Sequence, residues 1–216
     1  MAEDEHSGAF SCYRRVMTSG TLLALALGYL LGSIPFGLVL TRLAGKGDVR
    51  TIGSGNIGAT NVLRTGSKWL AALTLVLDCL KATAAILLAR ALFGDISGAF
   101  AACGALIGHI YPVWLKFGGG KGVATLLGIL LGLQLWEAAA VYAAVWILLL
   151  VMVRISSLAG IAAALSAPIV AFAIESSYFP LLLGFALLVV WKHRENIVRL
   201  TKGIEPRIGS GGARSR

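Results

Sequence analysis

The sequence predicts an all-α polytopic membrane protein of about seven transmembrane helices, with its N-terminus outside and its C-terminus in the cytoplasm. Three observations carry this. Of 216 residues, 57% are hydrophobic and 13% charged, with a mean hydropathy of +0.84; a soluble domain carries about 45–50% apolar and about 25% charged residues. The apolar residues come in runs near the ~20 that cross a bilayer core. The basic residues gather in alternate connections, as the positive-inside rule requires.

Residues 1–20 form an N-terminal extension. Arg14 and Arg15 lie on the expected outer side, against the charge rule, and Glu3, Asp4 and Glu5 offset them only in part. No small-residue cleavage site follows the long apolar run, so a removable signal is not expected. Met17, just before that run, is a second candidate start. Residues 21–205 read as one membrane domain, and 206–216 as a flexible cytoplasmic tail.

Thr21–Leu43, Trp69–Phe93 and Gly98–Leu115 are long enough to span, and Ser157–Ile174 follows them. Tyr178–Trp191 is short. Val123–Val153 is too long for one ordinary span, and Gln134, Trp136 and Glu137 interrupt it, so it is divided into two short helices. Seven spans place Arg42–Lys68, Lys116–Lys121, Arg154 and the chain from Lys192 on one side. These hold five, two, one and seven basic residues, fifteen of the nineteen. The opposite turns hold Asp95, Glu137 and Glu175.

The net charge of +9 does not point to nucleic acid, because no solvated basic face is available; charges flanking spans orient the chain and contact phosphates. The three cysteines (Cys12, Cys79, Cys103) show no zinc spacing, and no metal is expected.

Two polar stretches interrupt the apolar runs. Gly53-Ser54-Gly55-Asn56-Ile57-Gly58-Ala59-Thr60-Asn61, followed by Arg64, matches G-x-G-x-x-G. That pattern signals dinucleotide binding only between a strand and a helix of a soluble α/β domain. Here a membrane helix precedes it. A plain cytoplasmic turn is the simpler reading, but Asn56, Thr60, Asn61 and Arg64 supply more donors than a turn needs.

The second stretch is Gly118-Gly119-Gly120-Lys121-Gly122, with His109 and Pro112 before it and Thr125 after. A P-loop would need glycine five positions before Gly120 and a hydroxyl residue after Lys121. Leu115 and Gly122 stand there. What survives is a glycine nest opening into a helix, whose N-terminus favours an anion; the alternative is a tight interhelical turn.

His109 lies in an apolar helix, either packing or serving the nearby glycine loop. Asp78 and Lys81 share a helix face at i, i+3 inside a span. They read first as a self-neutralising pair, with a site-lining role as the alternative. Near the C-terminus, Lys192-His193-Arg194-Glu195-Asn196 leaves the last span with mixed charge. That can be a solvated anchor, although His193 and Asn196 can face one pocket.

Taken together, GSGNIGATNVLR (53–64), GHIYPVWLKFGGGKGVAT (108–125) and KHRENIVRLTKGIE (192–205) resemble one family. It is the bacterial acyl-phosphate-dependent glycerol-3-phosphate acyltransferases of the PlsY type. Gly32-Ser33-Ile34-Pro35-Phe36-Gly37 looks similar too, and the resemblance covers about Leu22 to Glu205. Ala82 departs from it where the family's D-x-x-K commonly continues with glycine.

The resemblance implies a multi-pass protein of the bacterial inner membrane with its active site at the cytoplasmic face. It implies transfer of a fatty acyl group from acyl phosphate to the 1-hydroxyl of sn-glycerol 3-phosphate, giving 1-acyl-glycerol 3-phosphate and phosphate. This opens phospholipid synthesis and uses no cofactor or metal. The implied partners are the two substrates and the bilayer.

Lys121, His193 and Asn196 are the implied catalytic residues. Ser54, Gly55, Asn56, Thr60, Asn61, Arg64, His109, Gly118, Gly119, Gly120, Gly122 and Ser157 are implied to bind substrate. Arg64 and Lys121 suit a phosphate leaving group, main-chain N–H groups around Gly119–Lys121 suit a phosphate, and His193 with Asn196 suits the acceptor. No Ser-His-Asp arrangement is evident. The H-x-x-x-x-D signature of other glycerol-phosphate acyltransferases is absent, since Trp114 and Val198 stand five residues after His109 and His193. Because acyl phosphate is already activated, its own phosphate oxygen is the preferred proton acceptor over a histidine base. Two rival classes are an organophosphate transporter and a structural membrane subunit. Against the first, the motifs cluster at one face and no hydropathy repeat is visible; the second leaves the donor-rich loops without a purpose.

Overall fold

The computed structural model describes residues 19–209, and among them all regular structure is helical. The charged residues before Met17, Met17 itself and most of the C-terminal tail lie outside the described residues.

The first apolar run is two helices, α1 (19–32) and α2 (Phe36–Leu43). The sequence predicts one unbroken span there. Pro35 breaks it, because proline offers no N–H to the helix and disfavours helical geometry at Ile34 before it. The freed Ile34 carbonyl accepts a hydrogen bond from Lys81 at 2.8 Å.

The first glycine stretch leads into the short α3 (Ala59–Val62). Ser67 then caps the 26-residue α4 (Lys68–Phe93), its hydroxyl accepting from the Leu70 N–H. Helix α5 (Ser97–Ile110) ends at Tyr111-Pro112, before the expected Leu115. The long run after Gly122 is divided as expected. Helix α6 (Val123–Gly132) and α7 (Trp136–Val153) are separated at Leu133–Leu135, where Gln134 adopts φ +61°. Helices α8 (Ser156–Ala173), α9 (Phe179–Lys192) and the amphipathic α10 (Arg194–Thr201) complete the chain.

Five segments are long and apolar enough to cross a membrane: Ser19–Leu43, Lys68–Phe93, Ser97–Leu115, Trp136–Val153 and Ser156–Ala173. Val123–Gly132 and Phe179–Lys192 are apolar but shorter.

Lipid is as apolar as a side chain, so membrane helices associate through close approach of small residues. The interior fits this. Ala82, Ala85, Ala89, Ala101, Ala105 and Ala163 are wholly buried. A methyl group on Gly28 or Gly32 would strike the α5 main chain, and one on Gly128 would strike that of α4. Leu92, Val151, Met152, Ile169 and Phe172 point outward, as a lipid-facing surface requires.

The chain returns repeatedly to one end of the bundle. The connections 44–67 and 111–122, the α7–α8 turn and residues 193–209 gather there. At the opposite end Arg90 joins two turns, donating to Asp95 at 3.0 Å and Gln134 at 3.1 Å.

Candidate active site

The first glycine stretch is organised from inside by Asn61, which is buried. Its amide N–H groups donate to the carbonyls of Val49, Ile52 and Asn56 at 2.7–3.1 Å. Its oxygen accepts from the Ser54 N–H at 3.2 Å and from Arg64 at 3.4 Å. Asn56 folds back on its own loop, accepting from the Gly58 N–H. These amides, which the sequence offers as ligand contacts, shape the loop. Ser54, Gly55 and Arg64 stay exposed, and Thr60 is half-buried.

The second stretch differs from expectation in which donors it leaves free. The N–H groups of Gly118, Gly119 and Gly120 donate to the carbonyls of Leu115, Ile110 and His109 at 3.0–3.2 Å. They fold the loop back over the end of α5, so of the main-chain donors expected around Gly119–Lys121 the Lys121 N–H is the one that no carbonyl occupies. Gly122 carries the turn into α6 at φ +88° and serves as its N-cap without a side-chain bond. Among the described residues no carbonyl accepts from the N–H groups of Lys121 through Thr125. The free donors therefore sit one turn later, at the α6 N-terminus, beside a buried Thr125 hydroxyl with no partner.

Gly120 also touches the preceding helix. A methyl group there would run into the His109 imidazole. His109 is buried, and its Nδ1 lies 2.9 Å from Lys81 Nζ. Lys81 is paired with Asp78 at 2.7 Å, as the i, i+3 spacing predicts, with both side chains inside the bundle.

The second and third stretches meet directly. Lys121 Nζ donates to Asn196 Oδ1, 75 residues further along, at 2.5 Å. Asn196 Nδ2 donates to Glu205 Oε1 at 2.6 Å, and Ser157 donates to the same oxygen at 2.7 Å. Arg199 closes the set on Glu205 Oε2 at 2.6 Å. The chain after α10 makes this possible by turning back at Gly203, so that the Ile208 N–H reaches the Arg154 carbonyl.

His193 is buried between α9 and α10. Its Nδ1 donates to the Val189 carbonyl at 2.8 Å, which leaves Nε2 as the acceptor.

Burial lowers the Lys121 ammonium to about 8, against the pull of Glu205 and with the push of Arg199 and Arg64. Burial likewise lowers His193 to about 4, although its bond to Val189 opposes this. For Glu205, burial works upward, but the bonds from Ser157, Asn196 and Arg199 outweigh it and hold the carboxyl below its ordinary range.

Lys121, Asn196 and Ser157 thus share one network, with the Arg64 charge near enough to act on Lys121. His109 backs the loop at Gly120, and His193 reaches the Gly160 side of α8. No hydrogen bond among the described residues joins Ser54, Asn56 or Thr60 to the other two stretches. Sequence reasoning assigned no role to Glu205 or Arg199. The available signal was a second acid, after Glu195, in a mainly basic motif.

Cations, amides and free helix-terminal donors at one end of an all-helical bundle define an integral membrane protein suited to anionic ligands. The chain belongs to the glycerol-3-phosphate acyltransferase family, whose model matches residues 22–203. It is an acyltransferase of phospholipid biosynthesis.

The glycerol-3-phosphate acyltransferase of Mesorhizobium japonicum is 54% identical over 197 residues, covering 91% of this chain and 100% of its own. That of Brucella ovis is 56% identical over 190 residues, covering 88% and 94%. Two crystal structures of PlsY, an integral membrane glycerol 3-phosphate acyltransferase, are each 38% identical and cover 88% of this chain. The glycerol 3-phosphate form has a TM-score of 0.81 over 96% of that chain, and the lysophosphatidic acid form 0.79 over 95%.

Proposed function

We propose that this protein transfers a fatty acyl group from acyl phosphate to the 1-hydroxyl of sn-glycerol 3-phosphate. The observation that carries the reading is the contact of Lys121 with Asn196, which brings the two basic stretches to one point. Two solved structures of PlsY, one in a glycerol 3-phosphate form and one in a lysophosphatidic acid form, support the acceptor and product.

Lys121 and Arg64, with the free N–H groups at the start of α6, hold the donor phosphate and draw charge onto it as it leaves. Ser54, Gly55 and Thr60 line the same mouth from the first loop, which Asn56 and Asn61 hold in shape. Gly118, Gly119, Gly120 and Gly122 give the second loop its path. Asn196, Ser157 and His193 receive the glycerol phosphate, Glu205 fixing which end of the Asn196 amide faces Lys121. The acceptor oxygen attacks the acyl carbon, and the bond from that carbon to the phosphate oxygen breaks. The hydroxyl proton passes to the departing phosphate. His193 Nε2 accepts the hydroxyl's hydrogen bond as the acceptor binds, and the proton leaves it for the phosphate oxygen as the acyl bond forms; a pKa near 4 makes the imidazole a weak base.

The site faces the cytoplasm of the bacterial inner membrane, with seven spans, the N-terminus outside, and α6 and α9 counted as short spans. Purified protein given acyl phosphate and glycerol 3-phosphate is expected to release phosphate and 1-acyl-glycerol 3-phosphate in equal amounts. Transfer only from acyl-CoA or acyl carrier protein would overturn the donor. No transfer, with uptake of phosphate into vesicles, would favour the transporter class.

A further inference from the structure

The buried trio Asp78, Lys81 and His109 lies behind the second loop. An ammonium has three N–H donors. Three acceptors surround Lys81 Nζ: Asp78 Oδ1 at 2.7 Å, the Ile34 carbonyl at 2.8 Å and His109 Nδ1 at 2.9 Å. The donors are matched one to one, so His109 Nδ1 must accept. A neutral imidazole that accepts at Nδ1 carries its proton on Nε2. That nitrogen lies against Gly120 and makes no hydrogen bond among the described residues.

The other buried histidine is set the opposite way. His193 gives its Nδ1 proton to the Val189 carbonyl and keeps Nε2 bare. One imidazole thus presents a donor and the other an acceptor.

We infer that Asp78 and Lys81 are positioning residues that lock His109 in its Nε2–H form behind Gly120, making it a neutral donor to an oxygen of the bound acyl phosphate. The identity of that ligand rests on the proposed function; the tautomer does not. Three features favour a positioning role over a plain membrane ion pair. The lysine bonds a third group outside the pair. That group adjoins the loop, and the same lysine holds the carbonyl freed at the α1–α2 break. The break and the loop are thereby fixed to a single nitrogen.

Full-length protein labelled with 15N-histidine, in lipid bilayers, holds only His6, His109 and His193. The expected spectrum has one imidazole with bare Nδ1 and protonated Nε2, lost in His109→Asn. Another with the reverse pattern is lost in His193→Gln. A proton on Nδ1 of His109 would overturn the inference, whatever the donor proves to be. Lys81→Met should release the tautomer and raise the KM for acyl phosphate roughly tenfold or more, the usual consequence of losing a hydrogen bond to a charged group. The KM for glycerol 3-phosphate should be unchanged. Should Lys81→Met fail to insert because Asp78 is left unpaired, Asp78→Asn with Lys81→Met removes both charges and is read in the same way. A variant that keeps the wild-type tautomer, or in which both KM values move together, sinks the inference.

Discussion

Gly120 and Lys121 are neighbours whose constraints come from different directions. The sequence suggests that a methyl group at Gly120 would crowd a bound phosphate. The structure puts the His109 ring in its way instead. Gly120→Ala is therefore expected to lose both activity and thermal stability, because the loop must move off α5. Gly118→Ala, whose added carbon would meet only the Leu115 carbonyl at 3.2 Å, should be better tolerated. Thermal unfolding in detergent checks the contrast, and a Gly120→Ala protein of wild-type stability would refute it. For Lys121, a folded-state pKa near 8 means that the charged form is present below pH 8 and is lost above it. The free enzyme's kcat/KM should fall as pH rises through about 8. Lys121→Arg, which stays protonated, should abolish that alkaline limb even where it weakens turnover. For His193, burial moves the value to about 4, so its neutral form persists well below the ordinary 6.5. His193→Gln should lose rate yet keep the wild-type pH profile above pH 5. A limb near 6.5 that disappears in this variant would restore the histidine as base.

The first glycine loop behaves as an element, because one side chain holds it. Asn61→Ala would leave three carbonyls and one N–H without their amide partner. Each such group, if it stays buried, costs about 1–3 kcal/mol. Protease nicking within residues 48–66 should rise sharply while helix content stays constant; unchanged resistance would mean the loop is held elsewhere. Legibility from sequence follows the same division between local and distant causes. The α6–α7 break was readable because Gln134 and Glu137 are polar in an apolar run. The α1–α2 break lay in a run that no charge interrupts, marked by Gly32-Ser33 and Pro35. The Asp78–Lys81 pair was readable from its spacing. The attachment of that pair to Ile34 and His109, 47 and 28 residues from Lys81, was not. The three site motifs could be listed from the sequence. It could not tell which amides shape the loops, or that Glu205 joins Ser157 across 48 residues. Those roles depend on the fold bringing distant segments together.

At the scale of the molecule, the proposed topology places Gly94 and Ser177 outside and Gly66 and Thr201 inside. Single cysteines at the first two should react with a membrane-impermeant reagent added from outside, and those at the last two should not. Reaction at Thr201 would eliminate the seven-span arrangement. The lengths of the two short helices then acquire a mechanical meaning. Ten residues in α6 and fourteen in α9 rise about 15 Å and about 21 Å, against a hydrocarbon core of about 30 Å. No residue of α6 is exposed, so its neighbours enclose it, and of the two helices α9 is the one whose exposed residues can meet the lipid. In the proposed seven-span topology, thinning of the bilayer beside α9 would accommodate that mismatch and draw the headgroup layer inward toward the substrate loops. Membrane thickness would then act on the enzyme: each added carbon in the host lipid would increase the deformation needed to meet α9. Activity in reconstituted vesicles should fall as the host acyl chains lengthen at constant headgroup and fluidity, without any change in the protein.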